Sequence, residues 1–200
     1  MDTTATNRHI LLYFGSFNPI HTGHIELARY ALTHTVADEL WLVLSPHNPL
    51  KTKEQLWDDD FRLSLTQKAV AKFSDIKVSD IEFSLPQPNY TYVTLRTLRE
   101  KYPDTQFDML IGADNHQIFD HWKQYQEILQ NHQVWVYPRN GITPDKAQFP
   151  QMRWLEAPLF PISSTMIREK ISRKESIHGL VPIEIEQTIE RKAAENQDKQ

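Results

Sequence analysis

Apolar residues along the chain alternate between short β-rich runs and longer stretches where they recur three and four apart. The runs from Ile10 to Phe14, Leu40 to Leu44, Ile76 to Phe83, Phe107 to Ile111 and Val134 to Tyr137 have the length and composition of buried strands. Between them, helical spacing is followed by Ile25, Ala28 and Leu32, by Phe61, Leu65, Ala69 and Phe73, by Leu95 and Leu98, and by Ile118, Trp122, Tyr125 and Leu129. Strand then helix, repeated, predicts an α/β, Rossmann-like, doubly wound parallel sheet covered on both faces. After Pro158 the pattern is helical only, from Ser163 to Arg173 and from Pro182 to Glu195. This predicts a small helical C-terminal segment, 160–195, folded back on the sheet within a single domain spanning 1–200. From Glu190 to Gln200 nearly every residue is charged or an amide, as in a fraying helix end.

Composition narrows the chemistry. The 200 residues carry 22 Lys and Arg against 26 Asp and Glu, a net charge of −4, which argues against a nucleic-acid-coating protein. An anionic ligand must therefore meet locally placed cations. With no cysteine, disulfides, thiolate nucleophiles and Cys-based zinc sites are excluded. The apolar runs fall far short of the roughly 20 residues that span a bilayer, and residues 1–8 lack a signal-peptide pattern, so the expected location is cytoplasmic, with no membrane partner.

Open parallel sheets bind ligands beyond the carboxyl ends of their strands, so the strand-to-helix loops are where chemistry is expected. The first is Tyr13-Phe14-Gly15-Ser16-Phe17-Asn18-Pro19-Ile20-His21-Thr22-Gly23-His24. Gly15 permits close approach to backbone, and Thr22 or a neighbour can cap the following helix, whose N-terminal amides then face an anion. His21 and His24, three apart, can point to one side of that site. The alternatives are two surface histidines or a metal site, for which neither a His-Glu-x-x-His spacing nor a third ligand is present. The second loop is Pro161-Ile162-Ser163-Ser164-Thr165-Met166-Ile167-Arg168, with hydroxyls and amides at a helix start and Arg168 in its first turn. An ordinary N-cap followed by a surface arginine is the alternative here.

Together, the Gly-x-Phe-x-Pro-x-His-x-Gly-His stretch at 15–24 and Ile-Ser-Ser-Thr-x-Ile-Arg at 162–168 resemble the nucleotidylyltransferase superfamily. More narrowly, they are similar to the bacterial nicotinate-nucleotide adenylyltransferases. Weaker matches lie between them, at Pro46-His47, at Thr91-Tyr92-Val93-Thr94-Leu95, and at Gly112-Ala113-Asp114 followed by Trp122 and Leu129. The resemblance implies Mg²⁺-dependent transfer of AMP from ATP to nicotinate mononucleotide in NAD biosynthesis. It implies that His21 and His24 contact the ATP phosphates, that Ser164, Thr165 and Arg168 hold the β and γ phosphates, and that His24 stabilises the transition state. Gly15, Ser16 and Phe17 would line the nucleotide path through their amides. On the acceptor side, Thr94 would present its backbone to the nicotinate carboxylate and Trp122 would stack on the pyridine ring. Asp114 would reach ribose hydroxyls or metal-bound water, with a helix N-cap as its alternative, and Lys51 and Arg139 are candidate phosphate partners. No residue is assigned as a protein metal ligand.

The chain departs from the family pattern at several positions. Asn18 stands in place of the usual aspartate, Asn48 in place of the basic residue after Pro-His, and Pro138-Arg139-Asn140-Gly141 shifts the expected cation by one position. A relative with another acceptor, nicotinamide mononucleotide or pantetheine phosphate, and a non-catalytic nucleotide sensor are the competing readings.

Overall fold

A computed structural model describes residues 8–46, 56–139, 141–142 and 145–197. Its elements, in order, are β1 (Arg8–Gly15), α1 (Thr22–His34), β2 (Glu39–Leu44), α2 (Asp59–Val70), β3 (Ile76–Ser79), α3 (Thr91–Lys101), β4 (Thr105–Gly112), α4 (Ala113–His116), α5 (Tyr125–Asn131), β5 (Val134–Tyr137), β6 (Arg153–Trp154), α6 (Ser164–Ser172) and α7 (Ile183–Gln197). All six strands are parallel, in the order β3-β2-β1-β4-β5-β6. Winding runs outward from β1 one way, then returns to β4 and runs the other way. The reversal therefore lies between β1 and β4, and the crevice of such a sheet opens there.

The alternation along β1 explains why both faces are covered. Leu11 and Tyr13 point into one core with Ala28 and Ala31 of α1, Leu65 of α2, Ile167 of α6, and Ile185 and Ile189 of α7. Ile10 and Leu12 point into the other with Leu95 and Leu98 of α3, Phe119, and Ile128 of α5. The C-terminal helices thus fold back on the sheet, as their apolar spacing predicts.

Three expectations change. The run from Ile76 to Phe83 is not one strand: it ends at Ser79, and Ile81–Ser84 form a 3₁₀ turn. The buried Glu82 turns inward there, accepting from Thr94 Oγ1 at 2.8 Å, while its carbonyl accepts from Asn89 Nδ2 at 3.0 Å. Between Ile118 and Leu129 the spacing is helical but the backbone is not. Phe119–His121 is a 3₁₀ turn, Trp122 is extended, and Gln124 takes φ +54° before α5 begins. Phe119, Tyr125 and Phe149 meet as one aromatic cluster across that break, so side-chain packing holds what helix continuity does not. Phe73 lies beyond the end of α2, its amide donating to Val70 O at 2.9 Å. The two-residue β6 carries too little pattern to be seen in the sequence.

Candidate active site

The crevice has two lobes that share Tyr13, His21, His24, Asp114, Tyr137, Arg139 and Ser163. One, about 640 Å³, is walled by Leu27, Ile142, Leu159, Phe160 and Ile162. The other, about 490 Å³, is the more polar, with Ser16, Asn18, Asn115, Ser164, Thr165 and Arg168 beside Phe14, Ile118 and Trp122. An apolar chamber opening into a polar one suits a ligand with a flat ring at one end and charge at the other.

α1 supplies the histidines. His21, not Thr22, is its N-cap residue. Thr22 instead ties the helix start to the C-terminal segment, its amide and Oγ1 both donating to Leu180 O at 3.0 Å. The His21 backbone N–H donates to His24 Nδ1 at 3.2 Å. In neutral His24 the ring proton must then sit on Nε2, which makes that nitrogen the donor. The rings stack 3.5 Å apart, and Phe17 and Tyr13 pack on His24 at 5.1 and 6.0 Å. Burial first, and the Arg139 guanidinium second, hold His21 down to about 3. His21 is therefore neutral at physiological pH, and its Nδ1 is buried.

The Gly15–Pro19 loop is held from several sides. Gly15 is needed less for a ligand than for the Phe17 ring, whose atoms would lie 2.8 Å from an added Cβ. Phe17 has φ +40°, an uncommon conformation for a bulky residue. Arg168 Nη1 donates to Asn18 O at 2.7 Å, and Ser164 Oγ donates to Pro19 O at 2.9 Å. Trp57 N donates to Asn18 Oδ1 at 3.0 Å, so asparagine serves here as an acceptor holding the approach to α2. Ser163 caps α6, its Oγ accepting from Met166 N at 3.1 Å, and Thr165 Oγ1 accepts from Arg168 Nη2 at 3.2 Å. The Ser164 and Thr165 hydroxyls are thus engaged within the protein, and burial lowers the Arg168 pKa somewhat. The start of α6 still presents its backbone amides to the polar lobe.

Across the crevice, Gly112 rather than Asp114 is the N-cap of α4. Asp114 Oδ1 lies 3.6 Å from Arg139 Nε, and a Cβ at Gly112 would fall 2.2 Å from Asp114 Oδ1 and 3.0 Å from Arg139 Nε. The glycine therefore makes room for this pair. Arg139 also lies over the Tyr137 ring at 5.0 Å, and the Tyr13 and Tyr137 hydroxyls meet at 3.3 Å on the floor. Burial pushes both phenols up, so the floor stays uncharged.

Of the residues singled out in the sequence, Gly15, Ser16, Phe17, His21, His24, Asp114, Trp122, Arg139, Ser164, Thr165 and Arg168 line this one crevice. Thr94 does not: it is fully buried, its amide donates to Tyr90 O at 3.3 Å and its hydroxyl is given to Glu82. It holds α3 to the Ile81–Ser84 turn and leaves no donor for a ligand. Lys51, like His47, lies outside the described residues. Sequence reading missed Arg62. Its signal was available, because Arg62, Leu65, Thr66, Ala69 and Val70 form the buried stripe of α2, and an arginine on such a stripe calls for acceptors.

Among the described residues no group of three His, Asp or Glu could hold a metal ion, and no helix is long and apolar enough to cross a membrane.

Comparison with known proteins bears on the family and the fold. The cytidylyltransferase-like family model matches residues 12–170. A Flavobacterium johnsoniae protein described as a probable nicotinate-nucleotide adenylyltransferase is 42% identical over 182 residues, covering 90% of this chain and 94% of its own. One from Flavobacterium psychrophilum, described in the same words, is 46% identical over 174 residues, covering 86% and 90%. Among solved structures, the Plasmodium falciparum nicotinic acid mononucleotide adenylyltransferase complexed with NaAD superposes with a TM-score of 0.75. The two are 20% identical, over 92% of this chain and 96% of that one, a likeness of fold.

Proposed function

The chain belongs to the cytidylyltransferase-like family and, within it, to the nicotinate-nucleotide adenylyltransferases, and on that premise we propose how its residues carry the reaction. The reaction moves AMP from ATP to nicotinate mononucleotide, giving nicotinate adenine dinucleotide and pyrophosphate. An oxygen of the acceptor phosphate forms a bond to the α-phosphorus as the bond from that phosphorus to the bridging oxygen of pyrophosphate breaks. The nucleophile is a phosphate monoester with a second pKa near 6, so it is mostly dianionic at neutral pH and needs no general base. What remains is alignment and neutralisation of charge.

The observation that carries this reading is the shared crevice, in which His21 and His24 stand between a more apolar lobe and a more polar one that contains Arg168 and Trp122. The adenine ring occupies the lobe of Leu27, Ile142, Leu159, Phe160 and Ile162. His24 donates from Nε2 to the α-phosphate as charge builds on it, and neutral His21 supports it from beneath. Arg168 and the first amides of α6 hold the β and γ phosphates, with Ser164 and Thr165 fixing that helix start. Gly15, Ser16 and Phe17 border the path of the phosphates, Trp122 stacks on the pyridine ring, and Asp114 and Arg139 meet ribose or phosphate between the lobes. The whole chain acts as one nucleotidylyltransferase domain. Among the described residues Asp114 is the one carboxylate that lines the crevice, and Arg139 faces it, so Mg²⁺ would arrive on the ATP phosphates and Asp114 would reach it only through its water shell. When bound, Mg²⁺ neutralises phosphate charge.

The test is pyrophosphate release with Mg-ATP and, in parallel, nicotinate mononucleotide, nicotinamide mononucleotide or phosphopantetheine, with a no-acceptor control. Release with nicotinate mononucleotide well above the others is the expected result. ATP binding without release for any acceptor would overturn the assignment.

A further inference from the structure

Arg62 has no exposed surface and lies outside both lobes, yet its guanidinium reaches the backbone that borders the polar one. Each of its five N–H donors has an acceptor. Nε donates to Trp57 O at 3.1 Å, Nη1 to Ser16 O and to Ser45 O (3.1 Å), and Nη2 to Pro46 O (3.4 Å) and to Asp59 Oδ1. A fully buried cation is tolerated only when its donors are satisfied, and here four of the five acceptors are main-chain carbonyls. They come from the segments that leave β1 and β2 and the one that enters α2. At the carboxyl end of a parallel sheet the last carbonyls lack strand partners, and oxygens turned toward a polyphosphate would repel it. Arg62 turns them downward.

The Ser16 carbonyl and the Phe17 N–H belong to the same peptide unit, which is trans and planar, so they point in opposite directions. With the carbonyl held by Arg62, which lies outside both lobes, peptide planarity directs the Phe17 N–H away from Arg62, on the side of the lobe that Phe17 lines. We propose that Arg62 is a positioning residue for adenylyl transfer, fixing the Ser16–Phe17 peptide so that the Phe17 amide donates to a phosphate, and this rests on the crevice being the transfer site. The left-handed backbone at Phe17 is then maintained from two directions, by the guanidinium under Ser16 and by the ring packed against Gly15, Tyr13 and His24. Lysine has three donors at one point and cannot reproduce a planar fork of five.

Arg62→Lys tests the assignment. The apolar lobe does not include Gly15–Asn18, so adenine anchoring is independent of that loop. The expected result is a folded protein whose ATP Kd by calorimetry stays within about threefold, while kcat falls about 10- to 100-fold, the scale of a misplaced catalytic contact. A folded variant with kcat within about twofold of wild type would overturn the proposal. If Arg62→Lys does not fold, wild-type protein carrying ¹⁵N-phenylalanine answers the same question. The Phe17 amide proton should move downfield with α,β-methylene ATP and not with adenosine, and an amide that moves with neither overturns the assignment. Wild-type protein that releases no pyrophosphate with any acceptor strikes the transfer reading itself, whereas an active wild type with an equally active Arg62→Lys strikes only the role of Arg62.

Discussion

His21 and His24 sit one helical turn apart in stacked rings, and their surroundings give them different work. Burial keeps His21 neutral, while the backbone N–H of His21 occupies His24 Nδ1 and so directs the His24 proton to Nε2. His24→Ala should lower kcat by about 100-fold or more, as loss of an oxyanion-type donor does, with ATP Kd within a few-fold. Single-turnover kinetics beside calorimetry separates the two, and equal losses in both would mean that His24 only binds. At this scale the sequence was informative where a residue's type limits its use, as for the histidine pair, Arg168 and Trp122. It did not show that the Thr94 hydroxyl and amide are engaged by Glu82 and Tyr90, nor which of Thr22 and its neighbours caps α1: His21 does, and Thr22 bonds to Leu180. Such pairings join residues far apart in the chain or spend a backbone group, and no local spacing records them.

Among the elements, the first three strands share one electrostatic tie. Glu39, at the start of β2, accepts from Arg8 of β1, from Lys77 of β3 and from the Trp41 indole N–H at 2.9 Å. Desolvation works to raise its pKa, but the hydrogen bonds from Arg8, Lys77 and Trp41 outweigh it and bring the carboxyl down to about 2. A carboxylate depressed in the folded state adds stability above its unfolded value, about 4.3, and loses it as pH falls toward 2. Glu39→Gln should therefore cost about 1 kcal/mol at pH 7, and the difference from wild type should shrink between pH 4.3 and 2 when urea midpoints are compared. A constant difference across that window would assign the cost to packing. Strand and helix existence was legible from period alone for β1, β2, β4 and β5. The ends of β3 and the break around Trp122 were not, because Glu82 and the aromatic cluster overrule local preference there.

For the molecule as a whole, the strand order places the ends of β1 and β4 side by side, and the start of α6 closes the crevice from the opposite wall, with α7 packed on α2 away from it. Ile185 and Ile189 of α7 are fully buried beside Leu65 and Ala69 of α2. Ile185→Ala should destabilise the fold by about 2–5 kcal/mol, and activity should be lost along the same melting curve as near-UV circular dichroism. Activity that survives past the loss of tertiary signal would mean that α7 is dispensable for the crevice. The doubly wound arrangement was legible in the alternation of strands and helices, whereas the depth to which α6 and α7 enter the core depends on contacts that only the folded chain brings together.

The tie from Thr22 to Leu180 sets an order on synthesis. A chain is made from its amino terminus, so β1, α1 and both histidines are synthesised while the wall that faces them is still unmade. Arg168, the α6 amides and the anchor at Leu180 come from the last fifth of the sequence. An emerging chain therefore has neither the bonds that fix its Gly15–Pro19 loop nor a grip on a triphosphate until α6, and α7 behind it, have cleared the exit.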